Sequence, residues 1–173
     1  MRAYSDGPGR GARFEVRLPV ALVMCSHAEV GSPPYSAELN LDGATVLVVD
    51  DQEDSRELLA TIFSQWRAEV VRCESVDSAL QVLDSTPIRL LVADIGMPDT
   101  DGFDLIARVR RLADRRATVP AIVVSAYARP NNRNRALAEG YHGYCAKPVD
   151  RDELAEVVSQ VLRTPQRPVR HSA

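Results

Sequence analysis

From Ala44 onward, short and almost continuous apolar runs alternate with segments of helical period. TVLVVD, EVVRC, IRLLVADI, PAIVVSAY and YHGYCAK are the apolar runs. SRELLATIFSQW, SVDSALQVLDS, GFDLIARVRRL, NRNRALAEG and DRDELAEVVSQVL carry apolar residues three and four apart. Runs that are apolar on both alternating positions need cover on both faces. Five such strands, each followed by a helix, predict an α/β domain with a five-stranded parallel sheet and helices on both sides. The last helix has a start signal: Asp150 stands at its N-cap with Glu153 three residues later. In RFEVRLPV, Phe14, Val16 and Leu18 alternate with charged residues, which predicts an isolated amino-terminal strand behind the glycines at 7, 9 and 11. The chain therefore divides into a strand segment over 1–21, a linker over 22–43 with the Pro33-Pro34 pair, a domain over 44–163, and a flexible tail over 164–173.

Composition narrows the class. Of 173 residues, 45% are hydrophobic and 26% charged, the balance of a globular chain. Lys and Arg number 21 against 24 Asp and Glu, which argues against a basic protein that coats nucleic acid. Cys25, Cys73 and Cys145 are odd in number and widely spaced, so they read as reduced thiols rather than a disulfide framework or zinc site. No apolar run approaches the roughly 18–20 residues of a membrane span. LPVALVMC, followed by Ser26-His27-Ala28, resembles a short signal sequence, but Asp6, Glu15, Pro19 and Met24 count against it. A cytoplasmic protein without membrane insertion is expected.

The informative polar residues fall at strand ends. Asp50 and Asp51 end the first domain strand, Asp94 the third and Ser125 the fourth; Lys147 follows the fifth. In an open parallel sheet, the carboxyl ends of the strands form the crevice where ligands bind. Three carboxylates converging there repel one another unless a positive charge lies between them. A hard divalent cation such as Mg2+ suits an all-oxygen site, and Lys147 supplies a second positive charge. Carboxylate nucleophile, metal, lysine and hydroxyl together suit phosphoryl transfer. Taken singly, each residue has a plainer reading: Asp50 and Asp51 as helix caps, Asp94 as a turn former, Lys147 as a solvated lysine, Ser125 as a satisfied hydroxyl, Tyr144 as a half-buried aromatic.

VLVVDDQEDSRELL, LLVADIGMPDTDGFDLI, AIVVSAYA and GYCAKPVD are similar, in order and spacing, to the four motifs of response-regulator receiver domains. That resemblance covers 44–163 and implies a flavodoxin-like receiver fold. It implies that Asp94 is the phosphoacceptor and that Asp51, Asp94 and the Gly96 carbonyl ligate Mg2+, with Asp50 supporting the ion through water. Ser125 would bond the phosphoryl group, Lys147 would pair with it, and Pro148 would follow a cis peptide. Tyr144 matches the aromatic switch that turns inward when Ser125 moves. The phosphoryl donor would be a histidine kinase or a histidine phosphotransfer protein, and the chain a phosphoacceptor rather than an enzyme.

SDGPGRGARFEVRLPVA is similar to the end of the ATP-binding domain of sensor histidine kinases, with Gly9, Gly11, Ala12, Phe14, Val16, Leu18 and Pro19 in register. A receiver behind such a strand resembles the carboxyl-terminal part of a hybrid kinase. Some twenty residues cannot hold a nucleotide, so no kinase activity is expected. An aspartate-nucleophile phosphatase generally carries two aspartates separated by one residue, whereas Gln52 and Gly96 stand two places after Asp50 and Asp94. A phosphorylation-independent pseudo-receiver would lack Asp94 or Lys147. A DNA-binding regulator has no room after Arg163.

Overall fold

The computed structural model describes residues 2–5, 7, 9–15, 39–97, 101–126 and 130–164, the side chains of 2, 3, 14 and 130–132 excepted. The signal-like run, most of the linker segment and the tail from 165 onward lie outside the described residues.

The first unit, residues 1–35, contains a hairpin of β1 (Arg2–Tyr4) and β2 (Arg13–Glu15). The amino-terminal strand is thus not isolated: Ala3 pairs antiparallel with Phe14, flanked by Arg2 with Glu15 and Tyr4 with Arg13. Three residues, RAY, are too few to display a period of two, so the sequence pattern missed β1. Gly7, Gly9 and Gly11 all take positive φ in the connecting loop, which non-glycine residues rarely tolerate. The Arg13 guanidinium lies 5.3 Å from the Tyr4 ring centroid.

The second unit is the α/β domain. Its elements are β3 (Thr45–Val49), α1 (Glu53–Gln65), β4 (Glu69–Cys73), α2 (Val76–Ser85), β5 (Leu90–Asp94), α3 (Gly102–Arg110), β6 (Ala121–Ser125), α4 (Pro130–Ala138), β7 (Gly143–Ala146) and α5 (Arg151–Arg163), with a 3-10 turn at Arg115–Thr118. The sheet is parallel throughout, in the order β4-β3-β5-β6-β7. Within the central strands, alternate residues serve opposite layers. Leu47 and Val49 face a core with Val76, Ala79 and Leu83 of α2, Leu105, Ile106 and Val109 of α3, and Ala136 of α4. Val46 and Val48 face Leu59, Ile62 and Phe63 of α1 and Leu154, Val158 and Val161 of α5. β5 and β6 are buried at every position, whereas β4 at the edge is half open.

The linker boundary needs correction. Leu41 is buried, Leu39 packs beside it, and the Leu41 amide donates to the Trp66 carbonyl at 2.7 Å. Two leucines among polar neighbours are too short a pattern to distinguish from linker. Residues 39–43 therefore belong to the domain.

The amino ends of β6 and β7 are tied by a polar node. Arg110, buried in α3, donates to the carbonyls of Gly140 (3.0 Å) and Ala117 (2.8 Å). Its other terminal nitrogen lies 3.3 Å from His142 Nδ1, which also receives the Ala121 amide at 3.0 Å. Two obligatory donors on Nδ1 require a neutral ring with its proton on Nε2. Gly140 sits at φ +110, with Arg110 Cγ 3.1 Å from where a Cβ would lie.

Two measurements check this architecture. Phe63 is fully buried and meets Trp66 edge-on, with ring centroids 5.3 Å apart. Phe63→Ala should cost about 3–5 kcal/mol in urea unfolding, whereas Leu58→Ala on the exposed face of α1 should stay within about 0.5 kcal/mol. Equal effects would mean the two faces of α1 have been exchanged. Burial first, and the Arg110 charge second, pull the His142 pKa down to about 4. The unfolded ring takes up its proton near pH 6.5, so this contribution is intact above pH 6.5 and is lost as pH falls toward 4. For a half-buried ring the loss is roughly 2 kcal/mol. His142→Asn keeps an acceptor that cannot protonate and should flatten that limb of the stability curve; identical limbs in both proteins would rule out the ring as the titrating group.

Candidate functional site

Parallel pairing decides which side chains meet. Val49 of β3 is opposite Ala93 of β5, so Asp50 and Asp94 come next on adjoining strands. Both are buried, and Asp51 beside them is exposed. Carboxylate oxygens of the three lie within 4.8 Å of one another. Asp94 is opposite Val124, which places buried Ser125 at the next position on β6. The Lys147 amide donates to the Ser125 carbonyl at 2.8 Å, so β7 delivers its lysine directly beside that strand end. The Lys147–Pro148 peptide bond is cis, and Pro148 is exposed.

The ammonium of Lys147 bridges the two buried carboxylates, 2.8 Å from Asp50 Oδ2 and 2.7 Å from Asp94 Oδ2. Burial pulls its pKa down, but the hydrogen bonds and charges of Asp50 and Asp94 outweigh that and hold it above the ordinary lysine value. The remaining polar capacity of the carboxylates is also used. The Gly96 amide donates to Asp94 Oδ1 at 2.8 Å. Asp50 Oδ1 receives the Gln52 amide at 3.0 Å, and Asp50 Oδ2 receives the Ser55 hydroxyl at 2.5 Å. Arg56 donates to the Asp50 carbonyl at 2.6 Å, joining the first turn of α1 to the end of β3.

Behind Asp94 the packing is close. A Cβ on Gly102 would stand 2.4 Å from the Asp94 carbonyl oxygen, so glycine lets α3 begin against the end of β5. Asp101 caps that helix through the Asp104 amide. The buried Tyr141 hydroxyl donates to the Gly102 carbonyl at 2.7 Å, and burial holds that phenol well above the usual range. Tyr144 is half-buried on β7 and packs against the same core layer as Phe103.

Asp50, Asp51, Asp94, Ser125 and Lys147 thus share one end of the sheet, with Gly96 exposed on the loop beyond β5. Ser55, Arg56 and Gly102 are part of the same arrangement, and sequence reasoning did not single them out. No spacing rule points to a serine in the first turn of a helix. A different signal was available for Lys147: it is the only lysine in the chain, and the other basic side chains are all arginine. A compact ammonium with rotatable donors can serve two carboxylates at once, a task a planar guanidinium fork fits poorly.

Among the described residues, one ammonium serves a cluster of three carboxylates, so negative charge is in excess there. An all-oxygen donor set with that charge deficit fits a divalent, hard cation. The donors supply no thiolate or imidazole, so softer metals gain nothing there.

Residues 46–159 match the family model described as response regulator receiver domain. The chain is 44% identical over 115 residues to an uncharacterized 14.6 kDa protein of Leptolyngbya boryana, covering 66% of this chain and 87% of that one. It is 30% identical over 137 residues to the signal transduction histidine-protein kinase BarA of Shigella flexneri, covering 79% of this chain but only 15% of BarA. A response regulator receiver protein from Pseudomonas putida superposes with a TM-score of 0.61 at 30% identity, covering 68% of this chain and 96% of the other.

The packing at Gly102 generates a prediction. Gly102→Ala should cost about 1–3 kcal/mol by urea unfolding, because α3 has to withdraw from the end of β5. A neutral substitution would show that the helix can retreat freely.

Proposed function

The chain belongs to the response regulator receiver domain family, and from that membership we propose that Asp94 is its phosphoacceptor. Receiver domains are phosphoacceptors of two-component signalling, generally without catalysis of their own, and they work with histidine kinases. The observation that carries the assignment is Lys147 Nζ held between Asp50 and Asp94 at 2.8 and 2.7 Å. In the transfer, an oxygen of Asp94 attacks phosphorus. The bond to Asp94 forms as the bond from phosphorus to the donor's nitrogen breaks, and its electron pair leaves with the donor imidazole.

Mg2+ would be held by Asp51, Asp94 and the Gly96 carbonyl, with Asp50 behind them, and when bound it supplies positive charge to the phosphoryl oxygens. Lys147 is already in contact with Asp94 and would follow the new negative charge onto the phosphoryl group. Ser125, at the neighbouring strand end, would donate its hydroxyl to the same group. Tyr144 on β7 would read that movement out toward α4 and α5. Asp50 keeps the lysine oriented in the resting state.

The donor would be a phosphohistidine, on a kinase or on a phosphotransfer protein, and the setting cytoplasmic. We assign residues 1–21 to the end of a kinase ATP-binding domain. The β1–β2 hairpin with its glycine-rich loop supports this.

Acetyl phosphate with Mg2+ should phosphorylate the wild-type chain, and Asp94→Asn should abolish the adduct in intact-mass spectra. Lys147→Arg should lower the rate by about tenfold or more, since losing one contact of about 1.4 kcal/mol in the transition state already gives a factor of ten. An adduct of equal yield in Asp94→Asn would overturn the assignment.

A further inference from the structure

We propose that Ser55 is a positioning residue that divides Lys147 between Asp50 and Asp94. The inference rests on the reading of Asp94 as the phosphoacceptor. Ser55 Oγ and Lys147 Nζ donate to one and the same oxygen, Asp50 Oδ2, at 2.5 and 2.8 Å. The other carboxylate oxygen, Oδ1, is engaged by the Gln52 amide. Asp50 is fully buried, so water is poorly placed to replace a lost donor. The serine is fixed in place because its neighbour Arg56 anchors the first turn of α1 to the Asp50 carbonyl at 2.6 Å.

An oxygen that accepts a short, charge-assisted bond from a hydroxyl leans less on a second donor. With Ser55 present, Lys147 is shared, and its contact with Asp94 at 2.7 Å is as short as its contact with Asp50. Without the hydroxyl, Lys147 becomes the main donor to Asp50 Oδ2 and is drawn toward it. It would then be slower to move onto an incoming phosphoryl group. Ser55 touches neither substrate nor metal in this scheme and acts through the carboxylate it shares with the lysine.

Because Lys147 is the only lysine, labelling lysine with 15N at Nζ gives a single side-chain ammonium signal to follow in the full chain. In the resting, Mg2+-free protein, Ser55→Ala should shift that signal, and Ser55→Thr, which keeps the hydroxyl, should restore it. With saturating Mg2+ and acetyl phosphate, Ser55→Ala should phosphorylate roughly three- to tenfold more slowly, and Ser55→Thr should return to within about twofold of wild type. Ser55→Cys, near in size and a weaker donor, should give an intermediate rate and guards against a variant that fails to fold. An ammonium signal unmoved by Ser55→Ala, or a slow rate that threonine does not relieve, would overturn the proposal. If the wild-type chain accepts no phosphoryl group at all, the reading of Asp94 falls, and the resting ammonium signal still decides the role of Ser55.

Discussion

The ammonium of Lys147 between Asp50 and Asp94 is the contact on which this end of the molecule depends. Two carboxylates within 4.8 Å repel by about 3 kcal/mol at an effective dielectric of 20, and a third stands nearby. Burial of Asp50 and Asp94 removes the water that would soften this. One shared cation offsets the buried pair and leaves the site negative enough to take a divalent ion. The crowding that makes the site costly is also what gives it an appetite for positive charge.

The architecture holds this arrangement from three directions. Register between β3 and β5 sets the two aspartates side by side, and the β6–β7 pairing brings the lysine in from the other side. The beginning of α3 is pressed against the Asp94 carbonyl by the absence of a side chain at Gly102, and Tyr141 closes it with a hydrogen bond. At the far end of α3, Arg110 binds the same α4–β7 connection through Gly140. One helix is therefore fastened at both ends to the segment that leads into β7 and Lys147. Displacement of either end has to be absorbed by packed layers, which resist continuous deformation.

The double-sided apolar strands and helical spacings predict a parallel sheet covered on both faces, and the clusters on the two faces bear this out. Asp50, Asp94, Ser125 and Lys147 could be placed from sequence because in a parallel sheet all strands point one way, so residues at strand ends converge wherever the strands fall in the chain. The sequence by itself determined those elements, their direction and the residues at their ends, since each follows from local periodicity. Tertiary structure alone decided the rest. β1 became visible only through its partner β2, and Leu39 and Leu41 only through the layer they cover. His142 is a neutral acceptor because Arg110 and the Ala121 amide arrive from other elements. Ser55 matters because an oxygen of Asp50 is shared with a lysine 92 positions further along the chain. Such hydrogen bonds are set by which donors and acceptors the fold brings together, on which spacing along the chain is silent.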